Sequence, residues 1–277
     1  MSAIPEEVKD IVGFIFIEDQ SGKPTPLGTG FFVTVRDEIN KERCFLYFVT
    51  ARHVILDSSG RYCSNFLVRM NKISGGVQFM QVDLSGPRKA KVYTHSDRTV
   101  DIAVFPGIPE KDICQFKTLP EEYITTKDLF TRLQIREGDE VFFTGLFHGF
   151  FGMERNYPVV RFGRVAMVTG ERIPWMGEMP NLYLIESHSF GGNSGSPVFF
   201  YLDPTRQPGT YVPGPRRLML AGIMEGCFLE RRQVQLTDAS SVPVAPENMG
   251  IAAVIPAYQL HEILFSQEAR EGRASAR

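Results

Sequence analysis

The chain has 277 residues, 43% of them hydrophobic, and a formal net charge of −2. That length and apolar content suffice for a sizeable core in one large or two small domains. The near-neutral balance leaves no basic excess for phosphate contacts, which argues against nucleic-acid binding, and no apolar run reaches the roughly 18 residues of a membrane span.

In chain order, the first 20 residues place acidic groups before a short apolar run and show no basic stretch or cleavage site, so a cytoplasmic location is expected. Strand-like runs rich in β-branched and aromatic residues follow at 11–17, 28–35, 44–51, 65–70, 77–84, 89–95 and 100–106. The pattern 125–135 predicts a connecting helix. Strands resume at 139–147, 159–170, 181–187, 196–201, 218–226 and 249–256. A terminal helix is predicted over about 257–268, with Pro256 at its first position and Leu260, Ile263 and Leu264 on one face; residues from Glu271 are expected to fray. Many short strands, 22 phenylalanines, 25 glycines and 18 prolines indicate an all-β sandwich or barrel. Pro/Gly-rich stretches at 203–217 and 230–248 read as surface loops, either tolerated insertions or walls of a cleft. Cys44, Cys63, Cys114 and Cys227 are widely spaced without a CxxC pair, which fits reduced thiols better than disulfides or a zinc site.

One polar turn stands out, "SHSFGGNSGSPVF" from Ser187 to Phe199. Glycines and small polar residues surround Ser194 before a proline and a strand. As a nucleophile, Ser194 needs a base, and the base needs an orienting carboxylate. Five histidines are available, and His53 lies where the apolar strand "CFLYFVTA" ends. Asp101 interrupts the apolar run "VDIAVF", and a buried carboxylate there requires a partner such as a histidine N–H. The order His53, Asp101, Ser194 is wrong for an α/β-hydrolase, which would also place its serine before a helix.

The pieces "GTGFFV", "FVTARHV", "DIAVF", "EGDEVFFTG", "GGNSGSPVF", "LAGIMEG" and "MGIAAVIP" together resemble the chymotrypsin/trypsin-like serine peptidases, most of all their disulfide-free bacterial, HtrA-like branch. The resemblance implies a single trypsin-like peptidase domain over 1–277 made of two six-stranded antiparallel β-barrels, about 8–120 and 121–256, with the cleft between them. It implies Ser194 as nucleophile, His53 as general base and Asp101 as its orienter, with Gly192 and Ser194 N–H groups as the oxyanion hole. The substrate pocket would be lined by His188, Ser189, Phe190, Met224, Glu225, Gly226 and Gly250. His188 would lie near the pocket base, where no acid selects Lys or Arg, and Glu225 on a pocket wall, where it either attracts a basic side chain or, with His188, merely hydrogen-bonds its neighbour or solvent.

Two departures from the family carry information. Asn193 replaces the Asp of members with zymogen control, so that switch is expected to be absent. Ser196 replaces a common glycine and would be strained if the backbone there required positive φ. The expected activity is a serine endopeptidase acting on a protein or peptide without metal or organic cofactor, with no PDZ module after the terminal helix. The alternatives are a silent peptide-binding protein of this fold, and a latent enzyme awaiting a regulatory protein partner.

Overall fold

Short, nearly continuous runs of aromatic and β-branched residues drive the first half of the chain into an antiparallel sheet whose central strands are buried along most of their length. The computed structural model describes residues 4–19, 21–107, 109–206, 214–230 and 247–276. The first sheet contains β1 (Val12–Glu18), β2 (Pro24–Arg36), β3 (Cys44–Ala51), β4 (Asn65–Lys72), β5 (Val77–Asp83) and β6 (Ile102–Pro106), with two-residue strands β7 (Cys114–Gln115) and β8 (Leu119–Pro120). Its order is β5-β4-β1-β2-β3-β6, with β7 beside β4 and β8 beside β2.

The second half begins with helix α1 (Lys127–Arg132), whose N-cap Thr126 accepts a hydrogen bond from Leu129 N–H at 3.2 Å. Strands β9 (Glu140–Gly145), β10 (Val159–Val168), β11 (Tyr183–Glu186), β12 (Pro197–Leu202), β13 (Arg217–Glu230) and β14 (Glu247–Pro256) then close a six-stranded barrel in the order β10-β11-β14-β13-β12-β9. The first half forms a second sheet. Its outer strands β5 and β6 do not pair with one another. Strand β6 has five residues and ends at Pro106, which brings no N–H to a ladder, and its free edge is met by a single bridge between Tyr93 and Val104. That bridge is all that remains of the strand predicted at 89–95.

The C-terminus also differs from expectation. Pro256 ends β14 and stands just before α2 (Ala257–Leu264) instead of inside it. A second helix, α3 (Gln267–Ser275), starts at Ser266, whose hydroxyl accepts from Ala269 N–H at 3.2 Å. The tail from Glu271 is therefore helical and anchored. Arg273 is buried, and its guanidinium donates to Tyr47 Oη at 3.1 Å and to the Leu264 carbonyl at 2.7 Å.

A continuous apolar cluster crosses the seam between the two halves, joining Phe31 and Val49 to Phe142, Phe199 and Ile223. Each fully buried side chain of this size contributes about 2–3 kcal/mol, so the seam is a rigid foundation for groups placed at its rim. Residues 207–213 of the stretch 203–217 and residues 231–246 of the stretch 230–248 lie outside the described residues. Among the described residues, no helix is long and apolar enough to cross a membrane.

Candidate active site

His53 and Asp101 sit together at the seam. Strand β3 leads into a single 3-10 turn, Arg52–Ile55, and that turn projects His53 from the sheet edge. Asp101 immediately precedes β6, the strand that pairs with β3, so sheet register sets the two residues side by side. The Asp101 carboxylate accepts the His53 backbone N–H at 2.9 Å on one oxygen and meets His53 Nδ1 on the other. Arg52 Nε lies 3.8 Å from Asp101 Oδ1, and Arg52 N–H donates to the Asp101 carbonyl at 3.0 Å. The partner that a carboxylate in an apolar strand demands is thus present. With Nδ1 committed to Asp101, the imidazole presents its other nitrogen outward, and the His53 side chain is 46% exposed.

Ser194 lies on the turn between β11 and β12, and the first sheet holds that turn. Thr29 of β2 donates its hydroxyl to the Gly192 carbonyl at 2.8 Å while accepting from Leu146 N–H at 2.9 Å. Its backbone N–H donates to the Ser194 carbonyl at 2.9 Å. Thr50 of β3 donates to the Thr29 carbonyl at 2.7 Å. Gly195 adopts φ +83°, and a Cβ there would lie 2.0 Å from the Thr29 carbonyl oxygen, so only glycine fits. The left-handed positions are Gly192 and Gly195, not Ser196, and the strain anticipated at Ser196 does not arise. Ser196 fits because Gly145 faces it: a Cβ on Gly145 would lie 2.0 Å from Ser196 Oγ.

Asn193 is locked from both ends of its amide. Its Nδ2 donates to the Leu146 carbonyl at 2.8 Å, and its Oδ1 accepts from Phe190 N–H at 2.9 Å. An Asp could not make the first of these bonds. Among the described residues, the N–H groups of Gly192 and Ser194 have no protein acceptor. The Ser194 hydroxyl points elsewhere: it donates to the Glu225 carbonyl at 3.1 Å, and no hydrogen bond to His53 occurs among the described residues.

The seven residues expected around a substrate pocket separate into two groups. His188 and Gly250 line an open cavity of about 480 Å³ between β10, β11 and β14, with Arg164 and Glu186 on its walls. Phe190 is half exposed, stacked near His188 and covered by the Arg161 guanidinium at 4.9 Å. Ser189 is buried, its carbonyl accepting from Asn248 Nδ2 at 2.5 Å. Met224, Glu225 and Gly226 do not line that cavity. Met224 is fully buried in the barrel core, and its backbone pairs with Gly195 and Ser196. Gly226 lies under the Trp175 indole. Glu225, expected on a pocket wall, has its carboxyl buried against Trp175 instead.

Burial, first, and the Asp101 charge, second, push the Glu225 carboxyl up to about 8. On the rim, Arg172 from the loop between β10 and β11 reaches across the seam to Asp97 at 2.6 Å and Thr99 at 3.3 Å. The Thr99 backbone N–H and then the Arg172 guanidinium hold Asp97 down at about 2. Sequence reasoning missed Thr29, Thr50, Arg52 and Trp175. Thr29 did carry a signal, a lone hydroxyl between Gly28 and Gly30 in an apolar strand, but nothing local names its partner 163 residues away.

Residues 28–201 match the family described as trypsin-like peptidase domain. No curated protein matches the chain. Among solved structures, the apo protease domain of MamO from Magnetospirillum magneticum is similar with a TM-score of 0.54 and 14% identity, covering 93% of this chain and 97% of its own. Rv3671c from M. tuberculosis H37Rv, an inactive-form mutant, gives a TM-score of 0.45 at 14% identity, over 93% and 87% of the two chains. At such identities the likeness to MamO concerns the fold.

Proposed function

The chain belongs to the trypsin-like peptidase domain family, and from that premise we propose that it is a serine endopeptidase using Ser194, His53 and Asp101. The observation that carries this reading is Asp101, which takes both the backbone N–H and Nδ1 of His53. A carboxylate so placed selects one tautomer and stabilises the imidazolium that forms when His53 accepts a proton. In this reaction the Ser194 hydroxyl swings from the Glu225 carbonyl to His53. Its oxygen attacks the peptide carbonyl carbon as its proton passes to His53. The oxyanion is received by the N–H groups of Gly192 and Ser194. His53 then protonates the departing amine, leaving an ester on Ser194, and a water deprotonated by His53 cleaves that ester. No step calls on a metal or an organic cofactor.

The substrate is a protein or peptide segment. Strand β12 and the turn before it pair with β13 only as far as Met224, so beyond it β13 has an edge on which an extended chain can add as a further strand. Partner control is the second reading, and one contact favours it. With the Ser194 hydroxyl on the Glu225 carbonyl, the resting site is latent until a substrate or a regulatory protein shifts it.

Labelling by a fluorophosphonate probe tests both readings. Labelling abolished by Ser194→Ala and by His53→Ala is expected. Labelling indifferent to either substitution would sink the peptidase reading, and labelling that needs an added protein would establish the latent one.

A further inference from the structure

Buried and half-buried arginines elsewhere in the chain have acceptors. Arg69 donates to Asn156 Oδ1 at 2.6 Å and to the Gly152 and Met153 carbonyls at 2.9 and 2.8 Å. Arg206 pairs with Asp139, and Arg216 with Glu140 and Asp203. Arg161 differs. It is half-buried, its Nε is buried without a hydrogen-bond partner, and among the described residues no carboxylate pairs with its guanidinium. Its place in the fold explains the desolvation. On β10 it stands opposite Phe143 of β9, and cross-strand partners share a face. Phe143 and Val165 are buried in the barrel core, so the stem of Arg161 starts from the inner face of the barrel, close to where β10 begins. There the guanidinium meets two aromatic rings, Phe147 at 5.8 Å and Phe190 at 4.9 Å. Ring faces attract a cation but supply no oxygen for its N–H groups. A guanidinium shielded from water and given no anion is costly, and its planar fork matches a carboxylate.

Both rings place this cation beside the proposed reaction. The Phe190 N–H donates to Asn193 Oδ1 at 2.9 Å, and its carbonyl accepts from Asn193 N–H at 3.1 Å. Asn193 lies between Gly192 and Ser194, whose N–H groups receive the scissile carbonyl oxygen in the reading above. Phe147 precedes His148, whose ring packs on Gly192: a Cβ there would lie 2.6 Å from His148 Cδ2. Phe190 is 47% exposed and stacks with His188 at 6.3 Å, so a substrate side chain can reach it. We propose that Arg161 is a specificity-determining residue, binding the carboxylate of an Asp or Glu side chain on the substrate residue that carries the scissile carbonyl. The proposal rests on the serine-peptidase reading of the site. The two phenyl rings keep water from the guanidinium, which strengthens a charge-assisted hydrogen bond to a carboxylate. A neutral Gln or Asn in that place leaves the charge uncompensated, and a Lys or Arg is repelled. Arg164, exposed on the other face of the same strand, does not compete, because Glu140 and Glu186 flank it in register.

The test compares wild type, Arg161→Gln and Arg161→Lys on acetylated, amidated peptides, with cleavage sites mapped by mass spectrometry. Blocking both ends leaves side chains as the only carboxylates. Wild type is expected to cleave after Glu or Asp, with kcat/KM on the order of 10²-fold above the Gln or Asn isostere. In Arg161→Gln that ratio falls toward one. Arg161→Lys, which keeps the charge without the planar fork, retains part of it. Binding of the same peptides, fluorescein-labelled, is measured by anisotropy on Ser194→Ala, with and without Arg161→Gln. Tighter binding of the Glu peptide than of its Gln isostere, lost with Arg161, supports the proposal without any turnover. Equal treatment of Glu and Gln peptides in both assays, or a preference that survives Arg161→Gln, would overturn it. If no peptide is cleaved and Ser194 does not label, while the Arg161-dependent binding of the Glu peptide is present, the peptidase reading falls and the carboxylate site stands.

Discussion

Two carboxyl groups, one from each half of the molecule, are equally buried at the seam: Asp101 and Glu225 are each 8% exposed. Their surroundings differ. Asp101 has a backbone N–H, an imidazole nitrogen and a nearby guanidinium, the donors a buried charge requires. The Glu225 carboxyl has an orphaned oxygen, Oε2, buried without a hydrogen-bond partner. The contrast shows that burial by itself does not determine what a carboxyl does. A carboxyl given donors serves as a fixed charge, and one denied them takes up a proton and becomes a titrating group.

The sharpest way to break the contrast is to neutralise the well-partnered member. Asp101→Asn keeps the shape but allows the wrong His53 tautomer, so labelling of Ser194 should slow on the order of 10⁴-fold while the denaturation midpoint changes little. Neutralising the poorly partnered member should act on stability instead. The Glu225 carboxyl titrates at about 8 in the folded chain, above its ordinary value of 4.5. Below pH 4.5 both folded and unfolded chains are protonated there and the group costs nothing. Between 4.5 and 8 the unfolded chain ionises first, and folding loses stability that is gone entirely above 8. Glu225→Gln escapes that loss, so urea denaturation should show no gain at pH 4 and a gain of a few kcal/mol at pH 9.

A smaller effect is expected from Thr29→Val, which removes the hydroxyl joining the first sheet to the nucleophile turn. The Gly192 carbonyl and Leu146 N–H lose their partner together, at a cost of about 3 kcal/mol by denaturation, with slower labelling. The smallest should come from Arg172→Ala at the exposed rim. Asp97, held at about 2, contributes stability that is present above the ordinary carboxylate range and is lost as pH falls toward 2. Because the pair faces solvent, its removal should cost about 0.5 kcal/mol at neutral pH, and less in high salt.

Much of the fold was legible because enrichment in β-branched and aromatic residues is a local signal. The strands predicted at 44–51, 159–170 and 249–256 correspond closely to β3, β10 and β14, and the 125–135 pattern contains α1. Where expectation failed, the missing information was not local. The segment 89–95 has a strand-like pattern, but only Tyr93 finds a sheet partner. The charged tail from Glu271 reads as frayed, yet Arg273 is drawn into a pocket made by Tyr47 and Leu264. The positive φ falls on Gly195 instead of Ser196.

The sequence by itself determined an all-β chain and its family, because residue type, periodicity and spacing along the chain carry that information. It also singled out Ser194, His53 and Asp101, because their order along the chain and the family-like motifs around them can be read together without knowing the contacts. Only the tertiary structure decided which groups touch: that Thr29 grips the Ser194 turn, that the second half closes as a six-stranded barrel, and that the Arg273 guanidinium reaches Tyr47. These contacts join residues distant in sequence. Their energies depend on burial and on hydrogen-bond partners, which exist only once both halves have closed on the seam.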